Sequence, residues 1–261
     1  GAGRVKRQQV ESEDGWTVIT HGVSKMSVNN PDSTATTDSK KTSKNGMQVA
    51  GQMPSQTVQG MTAEKLQGEF ETLREKWADS DVGRQLRSLL REQDLMSVVR
   101  EAVCIGIGSF SRDWEHRWRS MWQLVLFIDV VAQIEVKAVH AQDPAFTSLD
   151  IEFLKLLNVT AVDDGLEKHI TAESFVFSPF VDWFTLLPVF LKERDPALYV
   201  GNEILDDYTA FAQSEEKRAK LEECNVLGKA FLEKREVRKV KEFEGHAHAL
   251  NGMVVYIKEA E

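Results

Sequence analysis

The sequence predicts an α/β domain with a doubly wound, mostly parallel sheet that is covered by helices on both faces. Two observations carry this prediction. From residue 102 onward, short apolar runs typical of buried strands alternate with segments of helical periodicity. Connections of this length are typical of βαβ crossovers, which place parallel strands side by side. We therefore expect a Rossmann-like architecture, preceded by two helices and a disordered N-terminal tail.

The predicted tail spans residues 1–60, and the domain spans residues 61–261. Residues 22–60 consist mainly of Ser, Thr, Asn, Gln, Gly and Lys, with too few large apolar groups to offset the entropy of ordering. Within the tail, the segment WTVIT at residues 16–20 alternates like a β-strand. It is either an edge strand that docks on the domain or a short partner-binding peptide.

A helical lead-in is predicted over residues 62–95. Apolar residues recur at helical spacing after Thr62, a candidate N-cap, and predict a helix near 63–77. The residues that define its apolar face are Leu66, Phe70, Leu73 and Trp77. A second apolar face, from Val82 to Leu90, predicts another helix that ends near residue 91.

The alternating region supplies the rest of the domain. Predicted strands cover residues 102–108, 136–142, 159–162, 174–178 and 197–200, and a final strand over 252–258 would be antiparallel at the sheet edge. Predicted helices cover residues 112–133, 147–157, 182–193 and 203–213, followed by a charged helix over 214–224.

Composition excludes several classes of function. The net charge of −9 argues against direct nucleic-acid binding, and no apolar stretch is long enough to span a bilayer. Cys104 and Cys224 lack C-x-x-C spacing, which indicates neither a zinc site nor a disulfide. His246 and His248 are closely spaced without a nearby third ligand, so we expect loop residues and no metal site.

The candidate site lies at the carboxyl ends of the strands, where doubly wound sheets bind ligands. The first strand ends in VCIGIGSF, residues 103–110, which supplies Gly106, Gly108 and Ser109. These glycines favour close approach of a ligand to the backbone, or else a sharp strand-to-helix turn. The dinucleotide pattern G-x-G-x-x-G fails at Ser111, and G-x-G-x-G fails at Phe110.

Three further strand ends contribute candidates. Asp143 either accepts a ribose hydroxyl or forms a turn with Pro144 before a helix that Thr147 or Ser148 caps. Ser178 either faces an acceptor group or merely precedes Pro179, which ends the strand. The fifth strand ends at Gly201 and Asn202, where Asn202 is a ligand donor or the N-cap of the helix 203–213.

No pair of nucleophile and base is recognisable from spacing, so the catalytic residues are unknown. S-adenosylmethionine and a nucleotide both stay open as ligands of the glycine-containing turn.

The succession CIGIGSFS, QDPAFTSLDIEFLKLLNV, FVFSPF and YVGNEILDDY resembles the SRR-like family, named for sensitivity to red light reduced. The resemblance implies a regulatory protein of signalling and circadian-clock type without established catalysis, with protein partners, in the cytoplasm and nucleus. One departure concerns Ser178-Pro179-Phe180-Val181, where the family often has M-P-H-C. Haem is not supported, because neither cysteine precedes a proline.

Two other hypotheses compete with this one. A divergent class I methyltransferase would use Gly106 and Gly108 for approach of S-adenosylmethionine, Asp143 for its ribose and Ser178 for the acceptor. A pure scaffold would have its crevice filled by side chains such as Phe110.

Overall fold

The computed structural model describes residues 10–11, 17–18 and 54–259. The chain divides into two units, residues 1–40 and 41–261. In the first unit, strands β1 (Val10–Glu11) and β2 (Thr17–Val18) pair antiparallel. Strand β2 lies within the predicted WTVIT strand, and both alternatives for its role stay predictions. The predicted linker lies outside the described residues as far as residue 53.

Residues 54–60, the end of the predicted linker, bind to residues 111–113. The Val58 N–H donates to the Ser111 carbonyl at 2.8 Å, and the Asp113 N–H donates to the Gln56 carbonyl at 2.9 Å. These bonds attach the segment to the domain. The predicted boundary at residue 60 stays a prediction.

Two helices lead into the sheet, as predicted. Helix α1 (Ala63–Ala78) begins after Thr62, whose hydroxyl accepts a hydrogen bond from the Lys65 N–H. Its four predicted apolar residues are all buried. Helix α2 (Asp81–Arg91) begins after Ser80, which caps it in the same way. Both helices therefore start where a side-chain oxygen satisfies an unpaired N–H of the first turn.

Seven strands form the main sheet, in the order β5-β4-β3-β6-β7-β9-β8. The first five in the chain are parallel and take the order 3-2-1-4-5 of the Rossmann fold. Strand β9 is antiparallel to both of its neighbours. The strands are β3 (Glu101–Ile105), β4 (Ala138–Gln142), β5 (Thr160–Ala161), β6 (Ser174–Ser178), β7 (Leu198–Asn202), β8 (Arg235–Lys239) and β9 (Met253–Lys258).

Helices cover both faces of this sheet. Helices α1 and α2 pack on one face with α3 (Arg117–Gln133) and α4 (Ser148–Leu156). The other face is covered by α5 (Trp183–Thr185), which continues as a π-helical segment (Leu186–Leu191), and by α6 (Glu215–Leu232). Short 3₁₀ turns cover Leu166–His169 and Thr209–Phe211. The doubly wound prediction is confirmed.

The predicted helix over 203–213 is wrong. Apart from the 3₁₀ turn, these residues have no helical hydrogen bonding, and side-chain oxygens accept several of their N–H groups, including that of Tyr208, which a helix would direct to the Ile204 carbonyl. The Ile204 N–H donates to the Tyr256 hydroxyl at 3.0 Å, and the Tyr208 N–H donates to Asn225 Oδ1 at 2.8 Å. Asn202 is consequently not an N-cap, and it is the last residue of β7.

The C-terminal part differs from prediction in two further ways. Helix α6 runs to Leu232 and not to residue 224, and the sequence analysis missed β8, whose sequence REVRK has no apolar run. Since β8 forms the sheet edge, β9 lies between β7 and β8 and is not an edge strand.

Cys104 and Cys224 are both buried and free, and they pack against opposite faces of the sheet. In the part of the chain that the structure describes, no helix is both long and apolar enough to cross a membrane.

Candidate functional site

The turn that follows β3, here called the glycine turn (residues 106–111), requires glycine at two positions. Gly106 has φ of 69° and Gly108 has φ of 86°, in the left-handed region that other residues rarely adopt. The Gly106 N–H donates to the Gln142 carbonyl at 3.0 Å, which extends the pairing of β3 with β4 by one step. The two glycines thus serve a sharp change of chain direction.

Asp143 lies at the end of β4, as predicted, and binds the glycine turn. Its Oδ2 accepts a hydrogen bond from the Gly108 N–H at 2.7 Å, and its Oδ1 accepts one from the Ala145 N–H at 2.8 Å. The second bond is the Asp-Pro turn that the sequence left as an alternative. Both carboxylate oxygens therefore have backbone donors.

A second carboxylate, which the sequence analysis missed, holds the other end of the glycine turn. Asp150 is fully buried and accepts four hydrogen bonds of 2.6–3.0 Å. The donors are the Ser109 hydroxyl and the N–H groups of Phe110, Ser111 and Thr147. Thr147 in turn caps α4, so Asp150 completes a capping box. The T-x-x-D spacing was the sequence signal that could have identified it.

Ser109 has a structural role in this arrangement. Its buried hydroxyl donates to Asp150 at 2.6 Å and accepts from the Arg112 N–H at 3.1 Å. The N–H groups at 106, 108, 110, 111 and 112 all bind oxygen atoms of the protein itself. Two aspartates thus hold positions where a phosphate would bind in a phosphate-cradling turn.

Side chains also fill the space beside the glycines. A Cβ atom on Gly106 would lie 2.8 Å from Val181 Cγ2, and one on Gly108 would lie 2.8 Å from Ser120 Oγ and 3.0 Å from Trp114. The Phe110 ring is fully buried and contacts the rings of Phe146 and Phe153. Phe110 is thus a core residue, and the filling of the crevice that the scaffold hypothesis predicts stays a prediction. The two described surface cavities, of about 620 and 490 Å³, lie elsewhere.

Ser178 and Gly201 are brought together by the pairing of β6 with β7. A Cβ atom on Gly201 would lie 2.2 Å from the Ser178 carbonyl oxygen, so glycine is needed for the close approach of the two strands. Ser178 is fully buried, and the Asn202 carbonyl accepts a hydrogen bond from the Tyr199 hydroxyl at 3.0 Å. The structure therefore places the seven candidates at strand ends or in the turns that follow them, and it gives fold-maintaining roles to Gly106, Gly108, Ser109, Asp143 and Gly201.

Arg119 adds a cation to this edge of the domain and was not predicted. Its guanidinium lies 4.2 Å from the ring centroid of Phe180 and 5.9 Å from that of Trp114. Phe180 is 39% exposed, so the stacked pair reaches the surface. Burial lowers the pKa of Arg119, and Glu115 opposes that effect.

Burial also raises the pKa of Asp143 to about 6, and the nearby Asp150 carboxylate adds to the increase. The Ala145 and Gly108 N–H groups and the Arg112 charge oppose it. The Asp143 carboxyl group therefore titrates close to neutral pH.

Comparisons with known proteins identify a family and solved structures of low sequence identity. The SRR1 domain matches residues 72–257. No curated protein matches the chain. Among solved structures, a protein from Klebsiella pneumoniae assigned as an O-methyltransferase is 12% identical with a TM-score of 0.41, over 75% of this chain and 90% of its own. One from Staphylococcus aureus assigned as a caffeoyl-CoA O-methyltransferase is 11% identical with a TM-score of 0.35, over 77% and 93%.

We expect Asp150→Asn to lower the free energy of unfolding by about 3–5 kcal/mol, measured by urea denaturation. The amide nitrogen cannot accept a hydrogen bond, so at least one buried N–H loses its acceptor. Asp81→Asn, in the first turn of α2, is the matched control: its carboxylate is 79% exposed and pairs with Arg84, so we expect a much smaller loss of stability. Equal effects of the two substitutions would contradict the role of Asp150.

A second prediction concerns pH. The pKa of Asp143 is about 6 in the folded chain and close to the ordinary value of 3.8 in the unfolded chain. The folded chain therefore binds the proton more tightly, and protonation of Asp143 stabilises the fold. That stabilisation is fully present below about pH 4 and is lost as the pH rises through about 6. Between pH 4 and pH 7 the wild type should lose roughly 1–3 kcal/mol relative to Asp143→Asn in urea unfolding. The exposed Asp163→Asn control should follow the wild type, and parallel curves for wild type and Asp143→Asn would refute the prediction.

Proposed function

The chain belongs to the SRR1 domain family, and from that premise we propose that it is a regulatory protein of signalling and circadian-clock type that acts through protein partners. The observation that carries the non-catalytic part is the occupation of the glycine turn by Asp143 and Asp150. A nucleotide phosphate would compete with two carboxylates for the same N–H groups and would be repelled by both.

A methyltransferase is the alternative function, and this geometry disfavours it. Each oxygen of Asp143 already accepts one backbone N–H group, which leaves fewer acceptor sites for the hydroxyls of a ribose. Ser178, the candidate for acceptor binding, is fully buried. S-adenosylmethionine would require Val181 and Trp114 to move away from the glycines.

Partner binding is supported by the surface formed by Phe180 and Arg119. An exposed aromatic ring stacked on a guanidinium combines apolar area with a positive charge, and both residue types are enriched where proteins bind one another. Such a surface suits a partner segment that presents acidic and apolar side chains. Activity in the nucleus and cytoplasm belongs to the same proposal and derives from the family resemblance.

The non-catalytic part is tested by thermal unfolding with S-adenosylmethionine, S-adenosylhomocysteine, ATP, NAD and haem. A ligand at 100 times its Kd would stabilise the fold by about 2.7 kcal/mol, which raises Tm by several degrees. We expect no rise with any of the five. A rise with S-adenosylmethionine that Asp143→Ala abolishes and the exposed control Asp163→Ala retains would favour the methyltransferase.

The partner-binding part is tested by quantitative affinity purification from cells that express tagged wild type or variants. Phe180→Ala should reduce specifically recovered proteins several-fold, because truncation removes the exposed ring that Arg119 supports. Val226→Ala, at a residue 65% exposed on α6, is the control and should recover the wild-type set. Unchanged recovery with Phe180→Ala would remove the support for this surface.

A further inference from the structure

Three side chains of metal-ligand type lie close together, away from the carboxyl ends of the strands, although they are far apart in the sequence. Glu101 begins β3, His140 lies within β4, and His169 ends the 3₁₀ turn Leu166–His169. His140 is directly opposite Val103, two residues after Glu101, so the Glu101 and His140 side chains share one face of the sheet. The 3₁₀ turn covers that face next to both strands.

The three side chains contact one another in a defined way. His169 Nδ1 lies 3.0 Å from Glu101 Oε2, and the imidazole rings of His140 and His169 stack at 3.8 Å between centroids, tilted by 14°. The 3₁₀ turn is held against the start of β6, because the buried Ser174 hydroxyl donates to the His169 carbonyl at 2.8 Å. Strand pairing and this hydrogen bond therefore hold the backbone of the cluster in place.

One polar atom of the cluster lacks a partner. His140 Nδ1 is shielded from solvent and makes no hydrogen bond with any residue that the structure describes. An imidazole nitrogen that is shielded from solvent and has no hydrogen-bond partner is unfavourable. A metal ion bound by this nitrogen would compensate for the missing partner.

The distances suit a transition metal ion. One potential ligand atom from each residue lies within 4.8 Å of the others. Ligand atoms around tetrahedral Zn²⁺ are about 3.4 Å apart, given bond lengths of about 2.0–2.1 Å. Because the nitrogen lone pairs lie in the planes of the two stacked rings, the imidazoles would rotate out of the stack as they bind an ion. Glu101 and His169 are each about one-third exposed, at 37% and 34% for their side chains, so an ion can enter from solvent.

We propose that Glu101, His140 and His169 form a binding site for a divalent transition metal ion of the Zn²⁺ type. Two imidazole nitrogens and one carboxylate oxygen are a donor set that Zn²⁺ accepts and that hard Mg²⁺ does not favour. Three protein ligands leave a fourth position on the exposed side for water or another donor. The ion would link β3, β4 and the turn before β6, and the sequence predicted no metal site here.

The experiment is isothermal titration of the chelator-treated full chain with Zn²⁺, and with Mg²⁺ in parallel. We expect one Zn²⁺ per chain, a rise of Tm with Zn²⁺, and neither effect with Mg²⁺. His140→Asn and His169→Asn should each weaken Zn²⁺ binding roughly 100-fold. His246 and His248 are close in the sequence and lie outside the cluster, so they are the controls. His246→Asn and His248→Asn should leave the Kd for Zn²⁺ within about twofold of the wild type.

Glu101→Gln guards against variants that fail to fold, because the Glu101 side chain is about one-third exposed and Gln has nearly the same size. Circular dichroism should show it folded, with Zn²⁺ binding weakened at least about tenfold. No saturable Zn²⁺ binding by the wild type would overturn the proposal, as would loss of binding in the His246 or His248 variants alone. These outcomes are independent of the ligand panel, so the regulatory proposal and the metal proposal fail separately.

Discussion

The hydrogen bonds of the Asp150 carboxylate are the interactions on which the structure at the carboxyl ends of the strands depends. It joins the start of α4 to the glycine turn through four hydrogen bonds, and all of its donors belong to the chain. A buried charge is tolerated only when its hydrogen-bonding capacity is met, and here it is met in full. The turn, the cap of α4 and the burial of Phe110 are consequently one structural unit, in which no part can change alone.

This unit explains why the pattern of glycines resembles a ligand-binding turn. Gly106 and Gly108 meet the same conformational demand that a phosphate-binding turn imposes, because both require left-handed backbone. The two kinds of turn differ in the atoms that accept hydrogen bonds from their N–H groups. Asp143 and Asp150 supply negative charge from within the protein, and this allows Phe110 and Ser111 at positions where ligand-binding turns have glycine. Fold and ligand chemistry are therefore separable at this edge.

Periodicity was sufficient to predict most of the architecture. Both lead-in helices, the five parallel strands and α3 and α4 follow from apolar spacing and capping residues. The predicted helix over 203–213 is wrong, because Asn225 accepts the Tyr208 N–H that such a helix would use, and this competitor is not visible in the local sequence. The order of the strands along the chain was predicted correctly, although β3 ends at Ile105 and not at residue 108, and β7 ends at Asn202 and not at residue 200. The partners of the side chains at these ends were not predicted. The contacts of Asp150, and the convergence of Glu101 with His140 and His169, depend on strand order and register.

The two edges of the sheet determine how the domain can meet another chain. One edge strand, β5, is only two residues long, and the other, β8, exposes Arg238 and Lys239. Short and charged edges both oppose the addition of a further strand. Recognition by β-augmentation, in which a partner peptide extends the sheet through backbone hydrogen bonds, is thus disfavoured at both ends. Binding specificity then has to come from side chains on loops and helices, which can diverge between relatives while the sheet stays the same.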